Sequence, residues 1–241
     1  MKKSSPRQSE NFPSVIIFDI DGVLVGTKKT YLLTVLQVVK HFTGKRVTMR
    51  ELHEWKNRPG YNDDWKLSHA WVNSLGANVS FEDVRAKFLE LYWGKNHQGN
   101  VRFEEWLLPK PALRRLSQRA QLAVFTGRVL DELDYTFDRF RVRPYFDPVI
   151  TVEKVTEGKP SPEGLYKILD GRDPASALYL GDNVDDALAA QSANVPFVGI
   201  LPPRSDEFRQ RSTRLKDLRA LDILGHIKEL EVWLRVRGRR E

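Results

Sequence analysis

Five short apolar runs constrain this chain most, because each is nearly continuous rather than alternating with polar residues. Runs of this kind are typical of β-strands that are buried on both faces, as in a parallel sheet. The runs lie at 14–18, 121–125, 148–152, 177–180 and 196–200. Helical periodicity fills the intervals between the last four runs. The pattern therefore predicts a doubly wound parallel α/β sheet with right-handed crossovers.

The interval between the first and second runs is about a hundred residues wide, far more than a crossover needs. Apolar residues recur in it at helical spacing, at 31–42 and again at 81–92. We therefore predict that a helical domain is inserted into the α/β core. The predicted parts are a loose N-terminal tail at 1–12, the core at 13–27 and 106–241, and the insertion at 28–105.

A second helical stripe lies near the C-terminus and predicts one helix over 215–234. Its apolar positions are Leu218, Leu221, Leu224, Ile227 and Leu230. Such a helix would either pack on the sheet or join two subunits, so a homodimer stays open as an interpretation.

The composition excludes several classes of chemistry. The chain has no cysteine, which rules out disulfides, zinc–thiolate sites and cysteine nucleophiles. It has no apolar run of the roughly 18 residues that a membrane span needs and no apolar signal segment, so we predict a cytoplasmic protein with no membrane partner. The net charge of +7 favours acidic partners such as phosphorylated metabolites. The common nucleic-acid recognition signatures are absent, so a nucleic-acid partner is not predicted.

Two aspartates, Asp19 and Asp21, follow the first predicted strand. Ligands of parallel sheets bind beyond the carboxyl ends of the strands. There, one carboxylate can attack phosphorus while a second protonates the leaving oxygen. Turns and calcium loops use similar residues, but the apolar residues at 23–25 do not supply the oxygen ligands that calcium needs.

Polar residues also follow the next predicted strands. Thr126 and Gly127 follow the second strand, where a hydroxyl and an exposed N–H can hold a phosphoryl group, or where Thr126 simply caps a helix. Lys159 lies between a glycine and a proline after the third strand, and its ammonium could neutralise phosphate and a nucleophilic carboxylate.

The fourth predicted strand is followed by three carboxylates, those of Asp182, Asp185 and Asp186. Crowded carboxylates repel one another unless a cation lies among them, and oxygen ligands suit magnesium. Asp185 or Asp186 could instead be a helix N-terminal charge that the helix dipole favours.

The order of these motifs, each at the end of a successive strand, resembles the haloacid dehalogenase superfamily. The closer resemblance is to its phosphoglycolate-phosphatase-like branch, whose members carry a helical cap domain, and it spans about residues 14–200. The resemblance implies that Asp19 forms an aspartyl-phosphate and that Asp21 is the acid–base. It also implies that Thr126 and the Gly127 N–H bind phosphate while Lys159 stabilises the charge.

The same resemblance implies a Mg²⁺ cofactor. Its ligands would be Asp19, the backbone carbonyl of Asp21, Asp182 and Asp186, although the sequence leaves open whether Asp185 or Asp186 is the second acidic position. The predicted function is a phosphatase acting on a small phosphorylated metabolite. A phosphomutase of the same superfamily and a non-catalytic binding protein on this scaffold remain as alternatives.

Two further features point to substrate binding. Arg128 departs from the commoner family pattern, in which Thr-Asn or Ser-Asn follows the strand. Its guanidinium would bind a substrate carboxylate or phosphate, or pair with an acidic side chain such as Asp131 or Asp182. In the insertion, the loop at 58–65 carries Arg58, Asn62 and Asp64, which we predict to contact the substrate. Either Asp63 or Asp64 is also a natural N-cap for the helix that follows.

Overall fold

The computed structural model of the chain describes residues 12–26, 28–56, 58, 60–61, 63–203 and 208–238. They form two compact units, of which the second, Gly26–Glu105, interrupts the first. Within the described residues, no helix combines the length and apolar character that crossing a membrane requires.

The larger unit contains a six-stranded sheet in which every neighbouring pair is parallel. In chain order its strands are β1 (Val15–Phe18), β4 (Gln121–Phe125), β5 (Val149–Ile150), β6 (Ala177–Gly181), β7 (Phe197–Ile200) and β8 (Asp222–Leu224). Two short strands, β2 (Val25–Gly26) and β3 (Glu105–Trp106), form a separate pair where the chain passes between the units. The predicted α/β fold class is confirmed.

The strand order in the sheet is β5-β4-β1-β6-β7-β8. The chain runs outward from β1 to β5, crosses back, and continues on the other side of β1 from β6 to β8. This reversal creates a topological switch point at the carboxyl end of β1, the position where ligands of open α/β sheets bind.

Helices cover both faces of this sheet. In β1, Ile16 and Phe18 face one apolar layer while Val15 and Ile17 face the other, and all four side chains are buried. The helices of this unit are α5 (Lys110–Ser117), α6 (Leu130–Phe140), α7 (Glu163–Leu169), α8 (Val184–Ser192), α9 (Phe208–Asp217) and α10 (Leu230–Arg237). Apolar residues of α5, α6 and α10 join the first layer, and those of α7, α8 and α9 join the second.

The predicted single helix at 215–234 is wrong. This segment contains the end of α9, then strand β8, then the start of α10. The apolar stripe has a spacing of three residues, which drifts around a helix that turns every 3.6 residues. The open edge of β7 instead pairs in parallel with Asp222–Leu224 and extends the sheet. Leu224, Ile227 and Leu230 pack in the core of the same chain.

The second unit is helical. Its helices are α1 (Tyr31–Thr43), α2 (Met49–Lys56), α3 (Asp64–Ser74) and α4 (Phe81–Trp93). Aromatic side chains fill its interior: Tyr31 stacks on Tyr92 with ring centroids 4.5 Å apart, and Phe88 stacks beside them. Such rings bury a large apolar area in a small domain.

Candidate active site

The motif residues converge because three central strands end together. Phe18 of β1 lies in register with Val124 of β4 on one side and with Leu180 of β6 on the other. The residues that follow these strands therefore share one edge of the sheet. The backbone N–H of Asp19 donates to the carbonyl of Leu180 at 2.9 Å, which extends the pairing one residue past β1.

Asp19 is 6% exposed, and its carboxylate accepts a hydrogen bond from Lys159 Nζ at 2.7 Å. Burial raises the pKa of Asp19 well above its ordinary value. The ammonium of Lys159 opposes this effect, whereas the neighbouring carboxylates of Asp186 and Asp182 add to it. A further positive charge at this position would relieve the repulsion.

Lys159 bridges two elements of the sheet edge. Besides Asp19, its Nζ lies 2.7 Å from Asp186 Oδ1 and 3.1 Å from the Tyr179 hydroxyl. Burial alone would lower the pKa of Lys159, but the carboxylates of Asp186 and Asp19 outweigh burial and raise it. Lys159 is therefore a fixed positive charge beside the candidate nucleophile.

Asp186 organises the turn after β6. Its Oδ1 accepts from Lys159 and, at 2.6 Å, from the Tyr179 hydroxyl, while its Oδ2 accepts from the backbone N–H groups of Asp182 and Asn183. Asn183 and Asp186 together form the capping box that begins α8. Asp186 thus has both a capping role and a place beside Lys159.

Asp182 is the most accessible carboxylate of the cluster, with about a quarter (26%) of its side chain exposed. Burial raises the pKa of Asp182 to about 6, and the guanidinium of Arg211 acts in the opposite direction. Arg211, on α9, donates to the Asp182 carbonyl and lies 3.4 Å from its carboxylate. Sequence reasoning missed Arg211, because no motif links α9 to the turn after β6.

Two glycines make room for these carboxylates. Gly22 has a φ of +79°, and a Cβ added to it would lie 2.3 Å from Asp182 Oδ2. A Cβ on Gly181 would lie 2.6 Å from Asp186 Oδ2. A side chain at either position would therefore collide with the cluster. Glycine suits both positions because it has no Cβ.

The turn after β4 contributes Thr126 and Gly127. Thr126 is buried, its N–H donates to the carbonyl of Ile150 at 3.0 Å, and its Oγ1 accepts from the backbone N–H of Arg128 at 3.1 Å. Gly127 is exposed, and a Cβ added to it would meet no atom within 4 Å. The turn thus leaves open space at the Gly127 backbone.

The Arg128 guanidinium contacts Asp21, a partner that the sequence did not predict. Its Nη2 lies 2.7 Å from Asp21 Oδ1 and its Nε 3.0 Å from Oδ2. The arginine side chain is only 2% exposed, whereas that of Asp21 is 33% exposed. Arg128, the predicted substrate contact, is therefore paired with Asp21, the predicted acid–base.

The acidic cluster fits a hard divalent cation. One carboxylate oxygen from each of Asp19, Asp182 and Asp186 lies within 4.8 Å of the others. An all-oxygen donor set is what Mg²⁺ prefers, and Asp19 and Asp182, whose pKa values are raised, gain from a cation beside them. The donor chemistry therefore fits the predicted Mg²⁺, although a metal at Asp186 would share that side chain with Lys159.

The insertion holds the remaining predicted residues. Arg58 stacks on the Trp55 ring with its guanidinium carbon 4.0 Å from the centroid, and Lys56 Nζ lies 2.8 Å from Asp64 Oδ1. Asp63 is the N-cap of α3, since its side chain accepts from two backbone N–H groups there. Asn62 lies outside the described residues.

Comparisons with known proteins place the sequence in a family. A model of the haloacid dehalogenase-like hydrolases matches residues 16–200. The chain is 31% identical over 199 residues to an imidazoleglycerol-phosphate dehydratase of Phytophthora nicotianae, which covers 79% of this chain but only 44% of that protein. It is 27% identical over 195 residues to a phosphoglycolate phosphatase of Pseudomonas fluorescens, covering 78% and 69% of the two chains.

Solved structures share the fold. A predicted phosphoglycolate phosphatase from Haemophilus somnus superposes with a TM-score of 0.73 at 20% identity, covering 96% of this chain and all of that one. At this identity the similarity concerns the fold alone. The likeness extends over nearly the whole length of both chains.

Proposed function

Because the chain belongs to the haloacid dehalogenase-like hydrolase family, we propose that it is a magnesium-dependent phosphatase of a small phosphorylated metabolite. The observation that carries the proposal is the Asp19 carboxylate, held at 2.7 Å by Lys159 at the end of β1. A carboxylate can attack phosphorus in line when a neighbouring cation offsets the charge of the phosphate.

The proposed reaction has two steps. In the first, an Asp19 oxygen bonds to phosphorus as the bond to the leaving alcohol breaks, and Asp21 gives its proton to that alcohol. In the second, Asp21 takes a proton from a water molecule, which attacks phosphorus and releases Asp19 and inorganic phosphate. Asp21 recovers its proton in the second step, so the cycle closes.

The other edge residues bind the phosphoryl group. The Thr126 hydroxyl and the Gly127 N–H donate to its oxygens, and Lys159 stabilises the charge that shifts between phosphate and Asp19. Asp19, Asp182, Asp186 and the backbone carbonyl of Asp21 would hold Mg²⁺. When bound, this ion supplies charge neutralisation and alignment of the phosphate with the nucleophile.

We assign the insertion the role of a cap that reads the leaving group. Arg58, Asn62 and Asp64 are its proposed substrate contacts. Phosphoglycolate belongs in the substrate panel because one relative is named for it. A phosphate ester that carries an imidazole ring belongs there because another relative is named imidazoleglycerol-phosphate dehydratase.

The test is phosphate release from p-nitrophenyl phosphate and a broad panel of phosphorylated metabolites. We expect turnover that a chelator abolishes and that Mg²⁺ restores. Ca²⁺ should not restore it, because its larger and looser coordination shell misplaces nucleophile and phosphate. Full activity in excess chelator contradicts the magnesium site. A rearranged, still phosphorylated product would favour a phosphomutase, and inertness towards the whole panel would favour a binding protein.

A further inference from the structure

The contact between Arg128 and Asp21 has a defined geometry. Two nitrogens of one guanidinium donate to the two oxygens of one carboxylate, at 2.7 and 3.0 Å. In such a fork the two planar groups fix each other's orientation, which a single point-charge contact does not do. The pair therefore sets the direction of the Asp21 carboxylate as well as its position.

Arg128 is also bound by a side chain of α6. Its Nη1 donates to Thr136 Oγ1 at 2.7 Å, and that hydroxyl donates to the carbonyl of Glu132 at 3.0 Å. Thr136 is fully buried in α6. The backbone N–H of Arg128 also donates to Thr126 Oγ1. Arg128 thus links the Asp21 loop to a packed helix and to the phosphate-binding turn.

These contacts argue against a direct role in substrate binding. Each of the three guanidinium nitrogens of Arg128 donates to a protein group, and only 2% of the side chain is exposed. An arginine that binds substrate needs donors that face the ligand. Asp21 is the more accessible partner of the pair, with 33% of its side chain exposed.

We propose that Arg128 is a positioning residue that aims the Asp21 carboxylate at the leaving-group oxygen. The proposal rests on the proposed function, in which Asp21 transfers a proton in both steps. Proton transfer requires hydrogen-bond geometry between the acid and the reacting oxygen, so an acid that loses its direction loses rate even when substrate still binds.

The first measurement is steady-state kinetics of Arg128→Gln with p-nitrophenyl phosphate and with the best metabolite. We expect kcat to fall by about tenfold to a hundredfold, within the range that general acid–base catalysis contributes. KM should stay within about twofold, since no substrate contact is lost. Arg128→Lys should recover little, because an ammonium keeps the charge but cannot form the fork.

The decisive measurement is a double-mutant cycle with Asp21→Asn. If Arg128 acts only through Asp21, adding Arg128→Gln to Asp21→Asn should change kcat by less than about twofold. Asparagine and glutamine can still form a neutral hydrogen bond, which protects the fold of the double variant. Melting temperatures of all variants are measured alongside, and the cycle is read among those that fold.

Arg115→Gln is the matched control. Arg115 forms a fork of the same kind on Glu231, at 2.8 and 2.6 Å, between α5 and α10. Its removal should leave kcat unchanged, so a general effect of breaking a fork would be visible.

Three outcomes overturn the inference. A raised KM with unchanged kcat would make Arg128 a substrate-binding residue. Losses that multiply in the double variant would mean that Arg128 acts independently of Asp21. Both leave the phosphatase function standing. A wild-type protein that releases no phosphate from any substrate would overturn the proposed function, and the inference with it.

Discussion

The carboxyl edge of the core sheet and the loop before α3 in the insertion both contain charged pairs, but these pairs differ in range. At the sheet edge, Lys159 reaches Asp19 across 140 residues of sequence, and Arg128 reaches Asp21 across 107. In the insertion, the partners Lys56 and Asp64 lie within one loop and its flanking helices.

The two regions also differ in how many partners each charged side chain contacts. At the sheet edge, Lys159 and Asp186 each contact several groups, so one change disturbs the whole cluster. In the insertion, Arg58 stacks on Trp55 three residues away, and Lys56 pairs with Asp64. A shared network suits chemistry that every substrate needs. Local contacts suit a region that can change without loss of that chemistry.

The largest expected effect comes from Asp19→Asn at the sheet edge. This change keeps the shape of the side chain and removes the charge that attacks phosphorus. Turnover should fall by at least about a thousandfold, equivalent to roughly 4 kcal/mol of barrier, for p-nitrophenyl phosphate and for the metabolite alike. Phosphate release by purified variants measures it.

Asp138→Asn is the control for this change. Asp138 lies on α6 of the same unit, 74% exposed, and pairs only weakly with an exposed arginine. It should keep wild-type turnover. Retention of a tenth of the activity by Asp19→Asn would remove Asp19 from the role of nucleophile.

The next effect concerns metal binding and pH at the same edge. The pKa of Asp182 is raised to about 6, chiefly by burial. A raised pKa means that the carboxyl keeps its proton up to a higher pH, and Mg²⁺ binds the deprotonated form. Affinity for Mg²⁺ should therefore fall as pH drops below about 6, by up to about tenfold for each unit.

Thermal-shift titration with Mg²⁺ at fixed ionic strength measures this dependence. The half-saturating Mg²⁺ concentration should be nearly constant between pH 7 and 8. Between pH 6 and 5 it should rise by up to about tenfold. A flat profile across the whole range would separate Asp182 from the metal site.

The same contrast explains what the sequence predicted well. Strand and helix periodicity is local, so the apolar run of β1 and the helix at Leu130–Phe140 were predictable from their own residues. The edge motifs were predictable because parallel strands end together. Contacts that a side chain of a distant helix makes at that edge cannot be predicted from local sequence.

The failures follow the same rule. Arg128 could have paired with several carboxylates, and its actual partner depends on how α6 packs beside the Asp21 loop. Arg211 reaches Asp182 only because α9 lies next to α8, which no local pattern encodes. Strand β8 formed because the edge of β7 offered backbone partners, and this outweighed the apolar stripe in 215–234.

The smallest expected effect lies in the insertion, and it tests whether the loop selects the substrate. Asp64 pairs with Lys56 and has 16% of its side chain exposed, whereas its neighbour Asp63 caps α3. These adjacent aspartates form a matched pair, since only Asp63 caps the helix. Asp64→Ala should lower kcat/KM for the best metabolite by about fivefold to tenfold, the effect of one lost polar contact.

Comparing the two substrates and the two variants shows whether the loop selects the substrate or supports catalysis of every substrate. Turnover of p-nitrophenyl phosphate, which offers the loop little to bind, should change by less than about twofold in Asp64→Ala. Asp63→Ala should lower the melting temperature, because a lost N-cap costs about 1 kcal/mol, while its preference between the two substrates stays that of the wild type. If Asp64→Ala slows both substrates equally with the fold intact, the loop supports catalysis in general. Asp64 would then have no role in selecting the substrate.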